Sequence, residues 1–205
     1  MFGPKFAHRV AARYRKRGLD PTARRMVEWL ERQGLEGASV LEIGGGVGEI
    51  QIELLRRGAG SSVNLELSPA YDAEAARLLA ESGLADRAQR RIGDIAVDGS
   101  VAETADIVIL HRVVCCYPDA ERLLSAAAAH ATRAVVFSHP PRNLLSRGVL
   151  AVTNRVMRLV GREYQTYVHS PASMLATLRG SGFDAAHLPS GPLWQVVGAG
   201  RISAS

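Results

Sequence analysis

After residue 37 the chain alternates short, β-branched apolar runs with helical stretches, and this alternation restricts its fold more than any other feature. The runs Ser39–Ile43, Ser62–Leu67, Ala88–Ile92, Asp106–Leu110 and Arg133–Ser138 predict strands. Between them, Glu49–Arg57, Pro69–Ser82, a short piece near Val101 and Pro118–Ala131 read as helices. Strands separated by helices of this length form parallel βαβ units with right-handed crossovers. Their near-continuous apolar character suits a sheet covered on both faces. A further helix opens at Ser170-Pro171, an N-cap followed by a first-position proline, and ends at Gly180 or Gly182. Two more strand candidates follow, Phe183–Leu188 and Leu193–Gly200, joined only by Pro189-Ser190-Gly191-Pro192. That link is too short for a crossover, so the two strands pair antiparallel. The expected architecture is α/β: a doubly wound, Rossmann-like, seven-stranded sheet, mostly parallel with an antiparallel last strand at its edge, plus N-terminal helices.

The 205 residues divide into an N-terminal helical lid, 1–37, and a body, 38–205, with a helical insertion at about 143–165. In the lid, Lys5–Arg17 and Pro21–Gln33 are helix candidates, with Asp20-Pro21 as cap and first position of the second. The net charge of +5 is unevenly spread: residues 1–33 carry +6 and the remainder −1. A protein that coats nucleic acid spreads its charge over a binding face, so nucleic acid is not the expected partner. A basic amphipathic arm suits instead a cap over a site, or peripheral contact with a membrane surface. No apolar run approaches the ~18 residues of a membrane span, and the start lacks the apolar core of a secretory signal. The only cysteines, Cys115 and Cys116, are adjacent, which fits a reducing, cytoplasmic setting. Without a second cluster of Cys or His at standard spacing, they read as small core residues and no metal site is expected.

The chemistry lies in Val40-Leu41-Glu42-Ile43-Gly44-Gly45-Gly46-Val47-Gly48-Glu49, a strand, a glycine turn and a helix start. Glycines are required where the backbone takes positive φ or where a ligand lies on the main chain. A phosphate-binding P-loop needs Gly-Lys and then Ser or Thr, which are absent. The dinucleotide pattern G-x-G-x-x-G, read from Gly44 and Gly46, meets Glu49 where its third glycine belongs, and a carboxylate there repels a pyrophosphate. The spacing that fits is acidic-x-G-x-G-x-G, on Glu42, Gly44, Gly46 and Gly48. A carboxylate at the tip of the first strand suits a cationic ligand, one bearing an ammonium or sulfonium group.

This segment resembles motif I of the class I S-adenosylmethionine-dependent methyltransferases of small-molecule type, and the similarity extends over about residues 38–200. The resemblance implies S-adenosylmethionine as cofactor and S-adenosylhomocysteine as product. It implies that Glu42 meets the methionine end while Gly44, Gly45, Gly46 and Gly48 let the backbone run along the cofactor. Glu66, 20 residues after Gly46, would accept the ribose hydroxyls beside Leu67; dinucleotide enzymes use the same device. Asp94, in Ile92-Gly93-Asp94-Ile95, would accept from the adenine amino group, with Ile95 on the ring. After the fourth strand, His111 and Arg112 would sit beside the methionine end and Tyr117 at the mouth of the acceptor site. His111 is the foremost candidate for a general base, ahead of His139 and His169, because it ends a strand where ligands of open α/β sheets bind. Tyr117, His139, Arg142, Tyr167 and His169 are candidate acceptor contacts. The expected acceptor is a small lipophilic or aromatic metabolite methylated at oxygen or carbon. Two alternatives stay open: an RNA methyltransferase using the basic arm, and a nicotinamide-dependent oxidoreductase that tolerates Glu49.

Overall fold

The computed structural model describes residues 3–142 and 166–202, together with residue 155. The Asn143–Val160 stretch, and with it the expected insertion, otherwise lies outside these residues. Two helices come first, α1 (Pro4–Arg17) and α2 (Pro21–Arg32). The body follows as β1 (Ser39–Ile43), α3 (Glu49–Arg56), β2 (Ser61–Glu66), α4 (Asp72–Ser82), β3 (Ala88–Ile92) and β4 (Ala105–Leu110). It continues with α5 (Ala120–His130), β5 (Ala131–His139), α6 (Pro171–Gly180), β6 (Phe183–Leu188) and β7 (Gln195–Arg201). The seven strands form one sheet in the order β3-β2-β1-β4-β5-β7-β6. Pairings from β3 to β5 are parallel, and β7 runs antiparallel to both of its neighbours.

The expected doubly wound, mostly parallel sheet is therefore present, but its reversed strand is not at the edge. The Pro189–Pro192 link folds β7 back along β6, and β7 then fills the gap between β6 and β5, so β6 is the edge. The turn sequence specifies the hairpin without specifying which side of β6 it returns on. The opposite edge, β3, also departs from the apolar pattern: in Ala88–Ile92 no residue is buried, because one side of the strand has no neighbour.

Strand residues alternate between two cores, as a two-residue side-chain period requires. Ile107, Ile109, Val136 and Val196 face the side covered by α1, α2 and α3, while Val108, Leu110, Val135 and Val197 face α5 and α6. Gly198 on β7 leaves room for a ring of α2: a β-carbon there would stand 2.6 Å from Trp29 Cε2.

Side chains of the basic arm also pair with acids of the body. Arg15 on α1 bonds Glu81 at 2.7 Å and reaches Glu74 at 3.5 Å on α4, and His8 meets Glu74 at 2.9 Å. The Tyr14 hydroxyl donates to Glu53 of α3 at 2.7 Å. Asp20 caps α2 by accepting from Thr22 and Ala23 N–H. Between the helices Gly18 adopts φ +67°, which turns the chain back over the sheet.

Replacing Gly198 with Ala drives a methyl group into the rigid Trp29 ring. The variant is expected to lose about 1–3 kcal/mol of stability, as overpacked cores do, read as a lowered midpoint in denaturant-induced unfolding.

Candidate functional site

The turn after β1 is built from three left-handed glycines, Gly44 (φ +64°), Gly46 (φ +56°) and Gly48 (φ +81°). Gly48 stands at the N-cap of α3 without a side-chain cap, so the first amide groups of the helix need another acceptor. Glu42 supplies one from beneath the turn: its Oε2 accepts from Gln51 N–H at 3.1 Å. The Glu42 side chain lies so close under the turn that a β-carbon on Gly45 would meet its Cδ at 2.7 Å. Burial, reinforced by the neighbouring Glu49, holds the Glu42 carboxyl well above the usual carboxylate range.

The Gly46 peptide is pinned from both sides. Its N–H donates to Glu66 Oε2 at 3.0 Å, and its carbonyl accepts from Arg90 Nη1 at 2.8 Å. The other Glu66 oxygen accepts from Leu67 and Ser68 N–H at 2.9 and 3.0 Å. Arg90, on β3, also donates to Asp72 at 2.6 Å, while its Nη2 is buried without a partner. Sequence reading passed over Arg90; the only signal for it was a pair of arginines in an otherwise strand-like run.

Two cavities meet along this turn. The first, about 390 Å³, is lined by Glu66, Leu67, Gly93, Asp94 and Ile95, with Tyr117 and Tyr167 on its far wall. The second, about 690 Å³, lies under α1, where Phe6, Val10 and Arg13 face Glu49, His111 and Trp194. Gly44, Gly46, Tyr71, Arg112 and Cys116 line both, so the chambers share one wall.

That wall is held by a charged tie. Asp20 Oδ2 receives Arg112 Nη2 at 3.0 Å and faces His111 Nε2 at 3.3 Å, while Arg13 Nη2 lies 3.9 Å away. Although burial opposes it, the hydrogen bond with His111, the backbone donors and Arg112 hold the Asp20 carboxyl below its ordinary range. Arg112 itself adopts φ +60°, the one described residue other than glycine with positive φ, and its guanidinium stacks over Trp194 at 4.8 Å. Strained backbone of this kind concentrates at functional sites.

The structure distributes the remaining candidates differently from the sequence reading. His111 has both ring nitrogens engaged, Nδ1 at 3.0 Å from Ser138 Oγ and Nε2 on Asp20, so neither is left to take a proton from an acceptor. Tyr117 lies in the first chamber, not at the mouth of the second, because its hydroxyl donates to Asp94 Oδ2 at 3.0 Å. Tyr167 is on the same side, its ring stacked on His169, whose Nε2 bonds the Tyr117 carbonyl at 2.9 Å. His169 thus braces the first chamber from outside it. His139 lines neither chamber: it is buried between Phe137 and His187, and burial lowers its pKa. Arg142 is exposed beyond β5 and lines neither chamber. Cys115 is buried, as read, but Cys116 reaches the shared wall; the Cys116 contact and burial push the Cys115 thiol up, away from nucleophilic thiolate. No group of three His, Cys, Asp or Glu among the described residues could hold a metal ion.

A family model described as a methyltransferase domain matches residues 41–133. Among solved structures, magnesium protoporphyrin IX methyltransferase from Synechocystis PCC 6803, with bound S-adenosylhomocysteine, aligns with TM-score 0.71 at 24% identity, over 88% of this chain and 82% of that one. An O-methyltransferase family protein from Burkholderia thailandensis aligns with TM-score 0.71 at 17% identity, over 90% of this chain and 57% of its own. A family 2 O-methyltransferase from Planctomyces limnophilus, in complex with apigenin, aligns with TM-score 0.71 at 17% identity over 98% and 62% of the two chains. No functionally curated protein matches the sequence. Residues 41–133 thus match a methyltransferase-domain model, and the chain shares the fold of these solved methyltransferases.

Substituting Arg90 with Met removes the donor on the Gly46 carbonyl and leaves the glycine turn held only through Glu66. Affinity for S-adenosylhomocysteine is expected to fall about tenfold, or ~1.4 kcal/mol, by titration calorimetry.

Proposed function

We propose that this chain is an S-adenosylmethionine-dependent methyltransferase that acts on a small lipophilic or aromatic metabolite, at oxygen or carbon. The observation that carries this reading is the pair of chambers that share a wall at Gly44, Gly46, Tyr71, Arg112 and Cys116. One chamber has the polar groups an adenosine needs. The other is walled by Phe6, Val10, Ile50 and Trp194, with arginines at its side.

The residues present fit the cofactor. Glu42 is a buried carboxyl that accepts from the Gln51 amide, so an ammonium group would relieve its desolvation. It would hold the methionine end together with the backbone of Gly44 and Gly46. Glu66 would take the ribose, although its three backbone donors leave it little spare accepting capacity. Asp94 would accept from the adenine amino group with Ile95 against the ring, sharing its Oδ2 with the Tyr117 hydroxyl. When bound, S-adenosylmethionine supplies an electrophilic methyl group on a sulfonium. What the chain adds is position and dryness: the turn fixes one reactant, and Phe6 and Val10 of α1 wall the other from solvent.

The RNA reading is less well supported. Arg15 of the arm is paired with Glu74 and Glu81, and a chamber of about 690 Å³ suits a metabolite. The α1 helix, lining the second chamber from one side, favours its role as a lid over the acceptor.

Radiolabelled S-adenosylmethionine added to an extract of the source cells should label a small organic product, identified by mass. Replacement of Gly46 with Leu should abolish that labelling. At Gly46 a β-carbon finds no atom closer than Tyr71 at 3.6 Å, so the fold survives at about 1–2 kcal/mol for the left-handed backbone, while the side chain fills the junction of the chambers. Labelling retained in the variant, or appearing mainly in RNA, overturns the reading.

A pH dependence follows from Glu42. Its raised pKa keeps the free site protonated above the usual carboxylate range, and a cationic ligand favours the ionised form. Binding of S-adenosylhomocysteine therefore releases a proton, and affinity rises with pH above the ordinary carboxylate range until Glu42 is ionised without ligand. Calorimetry in buffers of different ionisation heat reads the proton release, which Glu42→Gln should remove.

A further inference from the structure

Glu49 stands in the sequence as the residue that breaks a dinucleotide fingerprint. In the structure its carboxyl lies in the wall of the second chamber, immediately after the glycine turn. The side chain is 14% exposed, and its nearest cation, Arg13 Nη2, is 3.9 Å away, beyond hydrogen-bond distance. Burial pushes the Glu49 carboxyl up, against the opposing effect of its own backbone N–H. Across the same chamber Asp20 is displaced in the other direction. Two carboxyls whose surroundings drive them apart mark different duties: Asp20 stays ionised as the anchor of Arg112 and the cap of α2, whereas Glu49 is poised to exchange a proton. His111, with both nitrogens engaged, leaves that duty open.

We propose that Glu49 is the catalytic base for methyl transfer to a hydroxyl acceptor. As the acceptor oxygen bonds to the methyl carbon, the carbon–sulfur bond breaks and its electron pair stays on sulfur. The hydroxyl proton passes to a Glu49 carboxylate oxygen and then to solvent. The sulfonium and the carboxylate are consumed and a neutral thioether and a carboxylic acid result, so charge is conserved. This rests on the reading above that the acceptor is a small molecule methylated at oxygen. Apolar walls at Phe6, Val10 and Trp194 beside the Glu49 carboxyl point to a phenol or a similar flat hydroxyl compound.

The titration of Glu49 is shaped by the groups facing it: Arg13 and Tyr14 from α1, Asp20 from the α1–α2 junction, Glu42 from β1, His111 from the end of β4, and Tyr71 from below the turn. A base must be ionised to act, so kcat falls on the acid side of that titration.

The test compares the full-length protein with its Glu49→Gln and Glu49→Asp variants. Each is given radiolabelled S-adenosylmethionine with a source-cell extract and, separately, with apigenin as a phenolic probe. The expected result is a labelled methyl ether from the native protein and a kcat at least about a hundredfold lower for Glu49→Gln, with the acid limb of the pH profile gone. Glu49→Asp should recover part of the rate. Calorimetric affinity for S-adenosylhomocysteine should stay within threefold, and carboxyl-carbon NMR of the free protein should lose one glutamate titrating above the usual range. A methyl ether made by Glu49→Gln within threefold of the native rate overturns the assignment of Glu49 and leaves the function standing. A labelled product that is not an ether, or no product with S-adenosylhomocysteine binding intact, overturns the hydroxyl acceptor itself, and the base with it.

Discussion

A carboxyl group buried beneath a glycine turn governs this molecule. Glu42 leaves water at considerable cost, and what offsets the cost is arranged around it: an amide at the start of α3, a turn of three left-handed glycines that brings main chain close overhead, and an arginine on the neighbouring strand that holds the turn by its carbonyl. Each component depends on another. The glycines have no side chain to keep the turn apart from Glu42, and the helix has no side-chain cap because a strand residue reaches its first turn. The site is thus assembled by sheet register, which sets β1 beside β2 and β4 and so brings their ends to one rim.

The charge of the N-terminal arm acts locally. Two of its arginines turn to the body: Arg15 binds acids of α4, and Arg13 stands between Asp20 and Glu49 in the chamber wall. Asp20 joins the arm to the body in two ways at once, capping α2 with one oxygen and receiving Arg112 with the other. Surface ion pairs alone contribute little, so the arm is held mainly by the apolar residues Ala7, Ala11, Met26 and Leu30 that it buries.

Much of this was legible in the residues. β1, β3 and β6 begin and end where the apolar runs do, and the helix caps at Asp20 and Ser170 lie where the side chains suggested. Strand and turn signals are local, and local chemistry writes them. The placement of β7 inside the sheet was not legible, since a hairpin link records that two strands pair but not which flank remains for a third. Side-chain direction was equally hidden. His111 ends β4 as expected, yet Ser138, 27 residues later, and Asp20, 91 residues earlier, take up its ring. Arg90 acts across 44 residues on Gly46, a distance no motif spans.

Glu66 closes the loop on itself: its two oxygens satisfy three backbone amides, among them that of the central glycine. A ribose held there, as proposed above, would share a carboxylate with only about one accepting position left, so a second hydroxyl would compete with a bond already made. The net gain is a difference between two well-matched partners, and such a difference is small.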